Sequence, residues 1–147
     1  MYTETSRTFV RNVIDADCNE AQIEIVLSTD DLIISRPLAE EARDVAALIG
    51  QVGDLIGSWM ECVELADARY RRWRGQQTES ILGASDKAPA EFKVTAAREA
   101  HPEFLQHKTE IAQLTGELEF LRAYYAALQV KAGQIGALIT IEVQAGR

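Results

Sequence analysis

Four arginines, Arg69, Arg71, Arg72 and Arg74, crowd into six positions, with Tyr70 and Trp73 set among them. Guanidinium groups neutralise phosphates and aromatic faces stack on unpaired bases, so the combination suits single-stranded nucleic acid. Cations also complement the dipole at a helix C-terminus, and in that plainer reading Tyr70 and Trp73 only complete an apolar face. Four cations in six positions exceed what the plainer reading needs in a chain of formal net charge −8. Between Arg69 and Arg98 there are seven basic residues, Lys87, Lys93 and Arg98 among them, against the three acids Glu79, Asp86 and Glu91. The expected site is therefore a polyanion site of Arg69, Tyr70, Arg71, Arg72, Trp73, Arg74, Lys87, Lys93 and Arg98.

A second group could do different chemistry. Glu40, Glu41 and Asp44 precede Glu64 and Asp67, and facing helices can gather such acids around Mg²⁺. The arrangement resembles the EExxE…ExxD pattern of all-α nucleotide pyrophosphatases of the MazG and dUTPase type, with Asp44 in place of the third glutamate. One continuous helix would hold the two acid groups roughly 30 Å apart. They meet only if the chain reverses near Gly50–Gly53, and otherwise they are solvated acids on a long helix.

Other catalytic signals are missing. His107 falls on an apolar seam, where a histidine is usually a core or boundary residue, and no Ser/His/Asp or Cys/His arrangement forms around it. There is no phosphate-binding glycine loop. Cys18 and Cys62 lack CxxC spacing, and His101 and His107 are not spaced as a common metal pair. The expectation is no catalytic residue, no metal and no cofactor.

The elements that position these residues follow from periodicity. Apolar or small residues recur in steps of four and three from Leu38 through Ala42, Val45, Ile49, Val52, Ile56, Trp59, Val63, Ala66 and Tyr70 to Trp73. That is a heptad seam. Ser35, Pro37, Glu40 and Glu41 read as its helix start, and Gly75 with Gln76 and Gln77 as its end. A turn-rich connector, 83–90, precedes a short helix from Glu91 to Glu99. A second seam runs from Phe104 through His107, Ile111, Leu114, Leu118, Leu121, Tyr125, Leu128, Ala132 and Ile135 to Ile139. Two matched seams around a connector predict an all-α fold, an antiparallel helical hairpin over 36–147.

Residues 1–35 read as an acidic arm, as a small hairpin with Ile23, Ile25 and Leu27 alternating, a turn over Ser28–Asp31 and Leu32–Ile34 after it, or as a helix from Asn19 followed by a docking strand. Gly50, Gly53, Gly57, Gly133 and Gly136 each follow a seam residue by one position. They mark either a close-approach face, open to a second subunit, or tolerated weakness.

Hydrophobic residues make up 47% of the chain and charged residues 26%, an ordinary globular balance. No apolar run spans a bilayer and no secretory signal is recognisable, so a cytoplasmic protein with reduced cysteines is expected.

In this order of elements the chain resembles the UvsY-type recombination mediators of tailed phages. The closest local match is Ala68-Arg69-Tyr70-Arg71-Arg72-Trp73-Arg74-Gly75. There the family has alanine-arginine, an apolar residue, two further residues, an aromatic, one more residue and glycine, in a region implicated in single-stranded DNA binding. Residues 91–138 resemble its C-terminal half, and the similarity covers roughly residues 30–140. The resemblance implies a non-catalytic, ring-like homo-oligomer active in DNA recombination and repair. Such a protein helps load a RecA-like recombinase onto strands covered by single-strand-binding protein. It makes Arg69 the first DNA-contact candidate, although Asp67 stands where the family has a basic residue. The competing readings are the Mg²⁺-dependent pyrophosphatase and a coiled-coil adaptor or assembly chaperone whose basic end grips an acidic protein.

Overall fold

The computed structural model describes residues 5–14, 17–84 and 86–146. Its elements are strands β1 (Ser6–Ile14) and β2 (Glu20–Ser28), a 3₁₀ turn (Thr29–Leu32), and helices α1 (Leu38–Gly83), α2 (Glu91–Glu99) and α3 (Pro102–Ala145). The chain is mostly helical but not all-α, because the N-terminal segment forms a two-stranded antiparallel sheet. The strand around Ile23, Ile25 and Leu27 pairs with residues before it, Phe9 opposite Ile25 and Arg7 opposite Leu27. Leu32–Ile34 is not its partner. Ser28–Asp31 does turn, closed by a capping box in which Ser28 Oγ accepts from the Asp30 N–H at 3.2 Å and Asp31 Oδ2 accepts from the Ser28 N–H at 3.4 Å.

The residues fall into two compact units. Unit one comprises Met1–Ser58 and Leu121–Arg147, and unit two comprises Trp59–Phe120. An isolated two-stranded hairpin is marginal in water. In unit one the hairpin therefore buries Phe9 and Leu27, and the helical residues Val45, Val52, Leu55, Leu121, Leu128 and Ile135 supply much of the same unit's core. Arg11 reaches Asp54 at 3.4 Å, and the Tyr124 hydroxyl donates to the Ser28 carbonyl at 2.9 Å.

The charged centre of unit one is Glu41, only 1% exposed. Its Oε2 meets the Lys131 ammonium, itself 3% exposed, at 2.5 Å. Its Oε1 accepts from the N–H groups of Ser35 and Arg36 at 3.3 and 3.2 Å. The acid thus ties down the chain entering α1, the place expected for a Ser35 cap. Lys131 also donates to the Asp31 carbonyl at 2.6 Å. A buried charge persists only when paired and hydrogen-bonded in this way.

α1 extends past the expected end at Gly75 to Gly83. Gln77, Thr78 and Ile81 are half-buried, so the packed face continues with polar residues in it. Of the five seam-adjacent glycines only Gly53 has a neighbour near its missing side chain, the Tyr125 ring at 3.9 Å. Within the chain these glycines do not mark a close helix approach.

Replacing Lys131 with methionine leaves the buried Glu41 carboxylate only the half-exposed Arg36 guanidinium, 3.3 Å from its Oε1, and urea unfolding at neutral pH should show a loss of about 3–5 kcal/mol. The hydrogen bond from Lys131 holds the Glu41 carboxyl down from 4.5 to about 2, against burial pushing it up. A depressed carboxyl contributes stability that is complete above about 4.5 and fades as pH falls toward about 2. The unfolding midpoints of wild type and Lys131→Met should therefore converge across that acid window.

Candidate nucleic-acid interface

The basic-aromatic segment lies on the part of α1 that belongs to unit two. Helical periodicity divides its side chains between two fates. Tyr70 and Trp73 are three residues apart and turn the same way, inward. Trp73 is 6% exposed and Tyr70 is half-buried. Their rings lie 6.2 Å apart, and Trp73 packs on His101 at 5.6 Å and His107 at 5.3 Å. Tyr70 also meets Phe104 and carries the Lys108 ammonium 4.3 Å above its ring. Trp73, expected to stack on bases, is thus core, and Tyr70 is already stacked and capped. His107 is a wall of the same aromatic cluster. Farther along, Trp59 Nε1 donates to Glu117 at 2.6 Å and joins α1 to α3 within this unit.

Arg71 and Arg72 turn outward, Arg69 and Arg74 flank the packed face, and the four divide again by their partners. Arg69 pairs with Glu110 at 2.6 Å, and Arg71 with Asp67 at 2.9 Å one turn back. Those pairs are exposed and partly spend the charge that was to meet phosphate. Arg72 and Arg74 are exposed, and no carboxylate pairs with either among the described residues. Lys87 and Lys93 are exposed as well. Arg98, on α2, is half-buried and donates to Thr78 at 2.8 Å and Thr95 at 3.3 Å, both neutral acceptors. Its charge is oriented without being cancelled. Arg74 and Arg98 line one cavity of about 200 Å³ together with Trp73, Thr95 and Glu99.

Two contributors carry no signal in the sequence. Lys108 lies outside the basic district and is recognisable only from its seat on Tyr70. Phe92, next to Lys93, is 71% exposed, the most exposed large hydrophobic side chain described. An unpacked aromatic has no periodic signature, so no pattern in the sequence distinguishes it.

The carboxylate group does not assemble. α1 is unbroken from Leu38 to Gly83, so the chain does not reverse at Gly50–Gly53. Glu41 is consumed by Lys131, Asp44 pairs with Arg36 at 2.7 Å, and Asp67 pairs with Arg71. Among the described residues no group of three or more His, Cys, Asp or Glu side chains could hold a metal ion. No helix among them is long and apolar enough to cross a membrane.

No known protein family, curated protein or solved structure matches the chain.

The two fates of the segment are separable by stability. Trp73→Ala should cost about 3–5 kcal/mol in urea unfolding, as for a buried aromatic. Arg71→Ala should change stability by less than about 1 kcal/mol, because its ion pair is solvated.

Proposed function

We propose that the protein binds single-stranded DNA as a homo-oligomeric recombination mediator, assisting the loading of a RecA-like recombinase onto strands covered by single-strand-binding protein. The single observation that carries this reading is the set of uncancelled cations in unit two. Arg72 and Arg74 stand exposed without an acid partner among the described residues, in a chain of net charge −8, and Arg98 is held by hydroxyls alone. Local positive charge in an acidic protein supports a polyanionic partner. Its centre of gravity moves from Arg69 and Arg71, which are ion-paired, to Arg72, Arg74 and Arg98.

The oligomeric part of the proposal draws on α3. Val130, Leu138, Ile141 and Val143 are each more than two-fifths exposed, and Gly133 and Gly136 have open space around them. Repetition of one modest site around an assembly raises affinity through effective concentration. The heptad hairpin of α1 and α3 is the architecture we propose for presenting it. The pyrophosphatase has no supporting observation. The adaptor reading shares every element named here and differs only in the partner, so nuclease-treated pull-down of a single protein in place of DNA would favour it.

A gel-shift series with single-stranded oligonucleotides tests the reading. The Arg72→Ala/Arg74→Ala double variant should bind more weakly on every sequence, with the salt slope shallower by about 0.7 for each phosphate left without its cation. The Arg69→Ala/Arg71→Ala variant should weaken less. Undetectable binding by the wild-type protein at low salt, or full binding by the first variant, overturns it.

A further inference from the structure

Resting on the single-strand reading, we propose that the cavity between Arg74 and Arg98 receives one phosphate of an unpaired nucleotide whose base lies on the ring of Phe92. The cavity, of about 200 Å³, is a size suited to a small group and not to a folded partner. Two guanidinium side chains line it, and neither forms an ion pair with an acid among the described residues. Arg98 is the better defined of the two. Its two terminal nitrogens are anchored to Thr78 on α1 and Thr95 on α2, neutral hydroxyls that fix the planar fork without discharging it. A guanidinium has five N–H donors, so those two bonds leave others for an anion, and phosphate matches the fork.

Phe92 stands on the same helix as this anchor. It lies three residues before Thr95, which places the two side chains as neighbours on α2, about 5–6 Å apart at Cβ. Val94, on the opposite side of the helix, is the buried residue that docks α2, so Phe92 has no packing duty. Single exposed apolar residues are ordinary. This one lies on α2, the helix that contributes Thr95, Arg98 and Glu99 to the cavity, and is followed by the exposed Lys93. Stacking on an aromatic face is sequence-tolerant because every base has a π-face. Phe92 thereby takes the stacking role that Tyr70 and Trp73, committed to the core, cannot perform.

Glu99 also lines the cavity. Its carboxylate opposes an anion and lowers the affinity for free phosphate, so that binding depends on the base contact as well. The site therefore takes a phosphate joined to a base in preference to inorganic phosphate alone.

Isothermal titration calorimetry of the full chain at low salt, with inorganic phosphate in one arm and a short oligothymidylate in the other, tests this. Phe92→Ala should weaken oligothymidylate about five- to 150-fold and leave phosphate unchanged, and Phe92→Tyr should restore binding. Arg74→Ala and Arg98→Ala should weaken both ligands, with circular dichroism verifying that each variant is folded, and Glu99→Gln should tighten phosphate. Oligothymidylate affinity that falls in Arg72→Ala but is unchanged in Phe92→Ala and Arg74→Ala overturns the cavity and leaves the single-strand reading standing. A wild-type protein that binds no oligothymidylate at low salt overturns both.

Discussion

A carboxylate and an ammonium shut away from water govern unit one. Glu41 and Lys131 come from distant parts of the chain, and each is almost wholly buried. The Glu41 carboxylate keeps its charge there because Lys131 and Arg36 face it, and the pair with Lys131 ties α1 to α3 within the unit. The rest of the unit is organised around that pair. Glu41 fixes the chain entering α1 through the N–H groups of Ser35 and Arg36, and Lys131 fixes the turn after β2 through the Asp31 carbonyl. Tyr124 reaches the same turn at Ser28, with burial and the neighbouring Asp31 pushing its hydroxyl up. The hairpin, too small to be stable by itself, is thus held by polar bonds as well as by Phe9 and Leu27.

Unit two is built on a different principle. Its interior is aromatic, with Tyr70, Trp73, Phe104 and the two histidines in mutual contact. Placing the bulky rings inside turns the intervening Arg71 and Arg72 outward, whereas Arg69 and Arg74, each four positions from one of the rings, flank the packed face. The resulting surface is cationic because of how the core is filled. Acids then sort the cations. Those within reach of Asp67 and Glu110 are tied to the body, and those beyond reach remain available to phosphate. Function, on our proposal, resides in that remainder.

The long helices were legible because their apolar period is sustained, and each seam residue from Leu38 to Trp73 is buried or half-buried. The end of α1 was not, since Gln77 and Thr78 occupy its inner face and a polar residue there breaks the visible pattern. β1 was not legible either. Phe9 shares its face of the strand with the exposed Arg7 and the half-buried Arg11, so the alternation that marks a half-buried strand is lost. The Glu41–Lys131 pair leaves no local trace, because a lysine on a helix reads as solvated until its distant partner is known. At the candidate site the residue types were legible and their orientations were not. Sequence names four arginines alike, whereas packing and ion pairing leave Arg72 and Arg74 alone uncancelled on that segment.

The placement of the two tryptophans has an optical consequence. Trp59 and Trp73 both belong to unit two, and unit one has no indole at all. Excitation at the red edge of the ultraviolet band therefore reports on one unit in isolation, whereas far-ultraviolet ellipticity reports on the helices of both. Whether the two signals vanish together on heating distinguishes a single cooperative transition from a stepwise one, without any label being introduced.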